Sequence, residues 1–207
     1  MFDAVILAGG LATRLGGGDK PGMIVGGQTL VAVAVAAAAD AAVVTVVGPP
    51  RPGLRRPPPG GVLRSVRDDP PGCGPLPALR RGMAEVSAPW VAVLAADLPF
   101  VCANVVRALL VTAAGGAAGH TTPLGAVLVD EAGEPQWLVG CWLTDTLRAA
   151  LSAYRGSSLH GLLRPLRPAE VAVPVGAGEP PPWLDCDTTA DLRLARGWRE
   201  GDARSQR

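Results

Sequence analysis

A glycine-rich loop directly after a short apolar segment is the feature that most constrains the fold of this chain. Residues 3–8 show no polar alternation, which is typical of a strand buried on both faces of a parallel sheet. Residues 7–20 then read Leu-Ala-Gly-Gly-Leu-Ala-Thr-Arg-Leu-Gly-Gly-Gly-Asp-Lys. Because open α/β folds bind ligands at the carboxyl ends of their strands, this order predicts a ligand site in the loop.

The residue types of the loop favour a phosphate ligand. Its glycines can expose consecutive backbone N–H groups as an anion-binding concavity, and Arg14 and Lys20 add positive charge. Lys20 is the only lysine beside 18 arginines, and a compact ammonium suits a tight phosphate loop better than a planar guanidinium. Lys20 precedes Pro21 instead of Ser or Thr, and G-x-G-x-x-G does not fit Gly9 and Gly10, so neither familiar phosphate-loop motif applies. A flexible surface loop is the alternative interpretation.

The order of elements predicts an α/β fold. Apolar runs at 42–47 and 90–95 are predicted strands, and the stretches 29–40 and 75–86 are predicted helices. Residues 49–61 contain six prolines and three arginines, which favours a solvated loop over phosphate binding by Arg51, Arg55 and Arg56. Further predicted strands are 126–129 and 138–143, and further predicted helices are 144–153, 158–163 and 189–197. We expect one domain over residues 1–197 and a disordered polar tail over 198–207.

Composition excludes several other classes of protein. A formal net charge of +1 gives no whole-molecule field for nucleic acid or an anionic membrane. No uninterrupted apolar run reaches about 18 residues and the start of the chain lacks a secretion-signal pattern, so we expect a cytoplasmic protein. The cysteines are widely spaced and only two histidines are present, which favours buried free thiols over a zinc site or disulfides. The cysteines are Cys73, Cys102, Cys141 and Cys186.

Carboxylates at strand ends are candidate metal ligands. Asp97 follows the predicted strand 90–95, where a hard oxygen ligand can meet Mg²⁺ that bridges substrate phosphates; a helix cap is the alternative. Residues 71–75, Pro-Gly-Cys-Gly-Pro, form a rigid turn that can offer peptide groups to a flat ligand, with Asp68 close by. An ordinary turn and cap is the other interpretation there. His120 and His160 have no carboxylate or cysteine partner at a suggestive spacing and are expected to be surface or turn residues.

The motif at residues 7–20 resembles that of the molybdenum cofactor guanylyltransferases, MobA-like NTP transferases with the GT-A-like nucleotidyltransferase fold. The resemblance implies a Rossmann-like, three-layer α/β/α fold with a mainly parallel sheet. It continues in the family's order through blocks at 68–76, 97–100, 136–142, 156–159 and 185–192.

The resemblance also implies an activity. A member of this family would move GMP from GTP to molybdenum-molybdopterin with release of pyrophosphate and with Mg²⁺ as cofactor. Gly9 and Gly10 favour the guanylyl branch, whereas related cytidylyltransferases usually carry Ala-Gly there. Cytidylyl transfer to the same cofactor and a non-catalytic nucleotide-binding module of cofactor biosynthesis remain alternatives. GTP and molybdopterin are the implied small-molecule partners, and transient contact with molybdoenzymes or their chaperones would follow.

Roles for individual residues follow from the loop and the resemblance together. Arg14, Lys20 and Asp97 are the predicted catalytic residues. Asp97 is the predicted metal ligand, and Asp187 or Asp185 is a secondary one, with helix capping by Asp187 or Thr188 as the alternative. Arg155 and Arg164 are candidates for a pterin phosphate. The predicted nucleotide-binding residues are Leu7, Ala8, Gly9, Gly10, Arg14, Gly16, Gly17, Lys20, Asp68, Gly74, Pro75 and Leu76.

Overall fold

A computed structural model of the chain describes residues 1–10, 17–55, 61–67, 74–115 and 123–205. These residues form nine strands, numbered β1–β9: Phe2–Leu7, Ile24–Val25, Gln28–Thr29, Val43–Val47, Val62–Val66, Trp90–Ala95, Gly125–Val129, Pro135–Leu143 and Ala169–Ala172. They also form six α-helices, numbered α1–α6: Leu30–Ala37, Pro75–Met83, Ala103–Gly115, Thr144–Ala153, Leu159–Leu163 and Thr189–Ser205.

Seven of the strands form one mostly parallel sheet in the order β5-β4-β1-β6-β8-β7-β9. β1 pairs in parallel with β4 and β6, β4 with β5, and β7 with β9. β8 is antiparallel to both of its neighbours, β6 and β7. The other six strands of this sheet therefore all point the same way, and their carboxyl ends open at one edge.

Helices cover both faces of the sheet. Ala4 and Ile6 of β1 face the layer of α1 and α3, whereas Val5 and Leu7 face the layer of α2, α4 and α5. All six residues of β1 are buried, as the unbroken apolar run predicts. This arrangement confirms the three-layer α/β/α prediction. No helix in the part of the chain that the structure describes is long and apolar enough to cross a membrane.

A buried carboxylate fixes the edge of the sheet opposite the loop. Asp3 is almost fully buried and accepts backbone N–H bonds from Val43 at 3.1 Å, Ser87 at 2.8 Å and Ala88 at 2.9 Å. These bonds join the start of β1 to the segments that lead into β4 and β6. Because buried carboxylate oxygens need hydrogen-bond donors, and three backbone N–H groups supply them here, Asp3 is a structural residue of the fold.

The structure corrects the predicted ends of several elements. The helices predicted at 29–40 and 75–86 end earlier, at Ala37 and Met83, and the strand predicted at 138–143 begins earlier, at Pro135. The last helix continues past Gly197 to Ser205, into the predicted polar tail. A hydrogen bond anchors that extension to the body of the protein, because Arg199 Nη2 donates to the Pro99 carbonyl at 2.8 Å. Just before the extension, Arg196 Nε donates to the Ile24 carbonyl at 3.1 Å.

Candidate active site

Lys20 lies between two carboxylates at the carboxyl edge of the sheet. Its Nζ donates to Asp97 Oδ2 at 2.7 Å and also to Asp187 Oδ1. The lysine side chain is only 8% exposed, whereas those of Asp97 and Asp187 are 25% and 46% exposed. The buried ammonium therefore faces two carboxylates that are open to a ligand from the solvent side.

The fold brings these three residues together from distant parts of the chain. Lys20 begins a 3₁₀ turn, Lys20–Gly22, just after the glycine-rich loop. Asp97 follows β6, where the Ala96 N–H donates to the Leu7 carbonyl at 3.1 Å and so holds the exit of β6 beside the end of β1. The Cys186 N–H then donates to the Asp97 carbonyl at 3.2 Å, which places Asp187 next to Asp97.

Electrostatics favour a further cation at this cluster. Burial acts to lower the pKa of Lys20, but the carboxylates of Asp97 and Asp187 outweigh it, and the pKa lies above its ordinary value. Partial burial raises the pKa of Asp185, and the negative charges of Asp187 and Asp97 raise it further. Three carboxylates thus surround one ammonium, which leaves an excess of negative charge at the edge of the sheet.

The donor chemistry of the site fits a metal ion that is shared with a substrate. Among the residues that the structure describes, no three His, Cys, Asp or Glu side chains form a group that could hold a metal by themselves. Asp97 and Asp187 nevertheless converge on one cation, the Lys20 ammonium. Mg²⁺ is usually held by one or two carboxylates together with substrate phosphates and water, and these two side chains match that requirement.

The structure also locates part of the predicted nucleotide-binding segment. Leu7 ends β1 and Ala8 is buried beside it, with its N–H bonded to the Val47 carbonyl at 2.8 Å. Gly9 is half-buried, and Gly10 and Gly17 are exposed at the carboxyl edge. Among the described residues, the chain therefore leaves the core after Ala8, and Gly10 and Gly17 lie at the surface.

The turn before α2 supplies a second segment at the same edge. Gly74 has a φ of +92°, which favours glycine, and Pro75 is the first residue of the helix. Leu76 is buried in the core, so its side chain packs instead of facing a ligand. Arg14, Gly16, Asp68, Arg56, His120 and Cys73 lie outside the described residues.

The structure also describes several of the other candidate residues. Arg155 and Arg164 are exposed. The His160 ring contacts the Trp137 ring edge-on at 5.4 Å between centroids, so this exposed histidine does have an aromatic partner. The prediction of buried thiols is confirmed for Cys141 and Cys186 and is wrong for Cys102, which is exposed.

Sequence reasoning missed an ion pair beside the lysine turn. The Arg51 guanidinium contacts both oxygens of the Asp19 carboxylate, and this bonding holds the pKa of Asp19 below its usual value. The two residues are separated by 32 positions in the chain, and neither has a neighbouring residue that signals the contact. The sequence shows Arg51 as a loop arginine near a predicted anion site, but it does not show that Asp19 is its partner.

A mostly parallel sheet between two helical layers, with a lysine turn and a strand-end aspartate at its carboxyl edge, is typical of α/β enzymes that bind their ligands at this edge. The sequence model of the MobA-like NTP transferase domain family matches residues 4–192, and the chain belongs to that family. It is 32% identical over 210 residues to a molybdenum cofactor guanylyltransferase of Bradyrhizobium sp. strain ORS 278, an alignment that covers 92% of this chain and 90% of the relative.

Solved structures with the same fold include two from archaea. A nucleotidyl transferase from Methanothermobacter thermautotrophicus superposes with a TM-score of 0.70 at 21% identity, covering 97% of this chain and 99% of that one. The molybdopterin-guanine dinucleotide biosynthesis protein A from Archaeoglobus fulgidus gives a TM-score of 0.66 at 14% identity, covering 96% and 99%. At these identities the likeness establishes the fold.

Proposed function

We propose that this enzyme transfers GMP from GTP to molybdenum-molybdopterin and releases pyrophosphate. The observation that carries the proposal is the placement of Lys20 against Asp97 and Asp187 at the carboxyl edge of the sheet. The guanylyltransferase relative of Bradyrhizobium, aligned over nearly the full chain, supports GTP as the donor and the molybdenum cofactor as the acceptor.

The proposed reaction is an in-line displacement at the α-phosphorus. A phosphate oxygen of the acceptor attacks, a new phosphorus–oxygen bond forms, and the bond to the β-phosphate oxygen breaks as pyrophosphate leaves. Such a reaction needs alignment and charge neutralisation more than covalent chemistry from the protein. Lys20 would bind the β- and γ-phosphates, with Arg14 and the backbone of residues 9–18 around them.

Asp97 and Asp187 would hold the Mg²⁺ ion, and Asp185 is the secondary candidate. When bound, the ion would neutralise negative charge on the phosphates and on the departing pyrophosphate. Burial raises the pKa of Asp185, and the neighbouring carboxylates raise it further; a divalent cation there would relieve the repulsion between these carboxylates. The Lys20 ammonium also reduces the repulsion between Asp97 and Asp187, because it donates to both.

A pyrophosphate-release assay with purified protein tests this function. Molybdenum-loaded molybdopterin is the acceptor, and GTP and CTP are supplied separately, each with and without Mg²⁺. We expect release with GTP and Mg²⁺ and none with either omitted. Release with CTP alone would establish cytidylyl transfer instead. Binding of nucleotide without release from either triphosphate would favour a non-catalytic module.

A further inference from the structure

Arg51 forms a two-pronged contact with the residue next to Lys20. Its Nη2 donates to Asp19 Oδ1 at 2.5 Å, and its Nη1 donates to Asp19 Oδ2. The Arg51 side chain is only 11% exposed although the residue lies in a proline-rich loop. A bidentate guanidinium–carboxylate pair fixes orientation as well as distance, because both planar groups must align.

The same guanidinium also reaches the other end of the glycine-rich loop. Arg51 Nη2 donates to the carbonyl of Ala8 at 3.3 Å, where the chain leaves β1. Asp19, its main partner, lies at the end of the loop and directly precedes Lys20. One side chain thus holds the two ends of the loop, and its charge is already matched by Asp19.

Gly22 leaves the space that this pair occupies. A Cβ atom at position 22 would lie 2.2 Å from Asp19 Oδ2 and 3.3 Å from Arg51 Nη1. The Gly22 N–H also donates to the Asp19 carbonyl at 3.1 Å, which closes the turn that carries Lys20. Glycine therefore leaves room for the pair, and an alanine at this position would force the Asp19 carboxylate to move.

We propose that Arg51 is a positioning residue that acts through Asp19 to fix the Lys20 turn for binding of the triphosphate. The inference rests on the proposed function, in which Lys20 contacts the phosphates. Binding is less costly when the contacting side chain is already held in its bound position, so a fixed Lys20 turn lowers the cost of binding the triphosphate. Arg51 would contribute to phosphate binding without touching a phosphate.

Three substitutions break the same contact in chemically different ways. Asp19→Asn removes the carboxylate charge, Arg51→Lys keeps the cation but loses the fork, and Gly22→Ala displaces the carboxylate. Binding of GTP and of guanosine is measured for each by calorimetry. Because misplacement of about 1 Å can cost about a hundredfold, we expect each variant to bind GTP about ten- to a hundredfold more weakly, with guanosine binding unchanged.

The outcomes separate positioning from other roles. If Arg51 contacts phosphate directly, Asp19→Asn frees it and GTP binding stays the same or strengthens, which overturns the inference. Equal weakening of GTP and guanosine also overturns it, because that would indicate general loss of structure. The double variant Asp19→Asn/Arg51→Lys should be no weaker than the worse single variant, as expected for residues that act as a unit.

A matched pair elsewhere controls for loss of an arginine–aspartate contact as such. Arg107 Nε donates to Asp40 Oδ2 at 2.6 Å on the α1–α3 side, and Arg107→Lys and Asp40→Asn should leave GTP binding unchanged. If the wild type binds CTP instead, the series is repeated with CTP and cytidine. If the wild type binds neither triphosphate, the proposed function itself is contradicted. If the wild type binds a triphosphate and the Asp19→Asn variant binds it equally well, only the positioning role is contradicted.

Discussion

At the scale of single residues, Lys20 combines burial with a retained charge. A buried ammonium loses hydration, and this loss is offset here by direct bonds to Asp97 and Asp187. In the proposed function, the same three charges would bind the phosphates and a divalent cation when a triphosphate occupies the open side of the carboxylates. The lysine is therefore held in place before substrate arrives.

Lys20→Arg tests whether shape matters as well as charge. We expect loss of pyrophosphate release by about a hundredfold or more, because the larger planar guanidinium does not fit an ammonium position that is only 8% exposed. The rate is measured with GTP and acceptor at saturation, and thermal unfolding verifies that the variant is folded. Release at the wild-type rate would show that any cation suffices at this position.

The pKa of Lys20 predicts a loss of stability at high pH. The pKa of Lys20 in the folded protein lies above its ordinary value of 10.5. The charged ammonium therefore stabilises the folded protein fully below pH 10.5, and this contribution is lost as the pH rises through the folded-state pKa. Urea unfolding of the wild type and of Lys20→Met, between about pH 9 and pH 12, measures the difference in free energy of unfolding. We expect that difference to shrink as pH rises; a constant difference would mean that the ammonium is not stabilised by its partners.

Sequence reasoning identified the residues whose local context reveals them. Lys20 was evident as the single lysine in a glycine-rich loop, and Asp97 as the carboxylate after a buried strand. The sequence does not decide whether Asp187 binds a metal or caps a helix, because only the fold shows that Asp187 and Asp97 share a hydrogen-bond donor, Lys20. The contact between Asp19 and Arg51 could not be predicted, since it depends on how the loop after β4 folds back onto the turn before β2.

At the scale of elements, α2 lies close against the sheet at Gly82. A Cβ atom there would lie 2.4 Å from Val5 Cγ1 and 2.9 Å from Val47 Cγ2. These valines belong to β1 and β4, whose ends frame the candidate site.

Substitution of two helical glycines by alanine should have opposite effects. Gly82→Ala should lower the free energy of unfolding by about 1–3 kcal/mol through overpacking against β1 and β4. Gly197→Ala in α6 should raise it by about 0.5–1 kcal/mol, because the exposed site has no atom within 4 Å of the new Cβ and alanine favours helix. Both values come from urea unfolding. A neutral Gly82→Ala would show that α2 can move away from the sheet at little cost.

The elements that sequence reasoning missed differ in how visible they were. β5 and β9 are short strands at the two edges of the sheet, with few buried residues, so their apolar pattern is weak. α3 was detectable, because its buried positions Val105, Val106, Leu109 and Ala113 follow a helical spacing. The extension of α6 past Gly197 was not detectable, since its anchor, Arg199, donates to the Pro99 carbonyl, which is far away in sequence.

At the scale of the whole molecule, the fold brings charged side chains from the two ends of the chain together at one edge of the sheet. Lys20 and Asp187 are 167 positions apart, yet they share a hydrogen bond. The residues between them build the sheet that positions Asp97 beside both. Because the site exists only when β1, β6 and the segment before α6 are docked together, binding of a triphosphate should stabilise the entire domain.

The most direct test of whether Lys20 binds the triphosphate and Asp97 binds Mg²⁺ is a crystal structure of the protein with Mg²⁺ and a GTP analogue. The analogue must resist cleavage at the α–β bond. We expect the β- and γ-phosphates within hydrogen-bond distance of Lys20 Nζ and of the backbone N–H groups of the glycine-rich loop. Mg²⁺ should bridge the phosphates and Asp97. Phosphates bound elsewhere, or a Lys20 ammonium that faces solvent away from them, would contradict the claim.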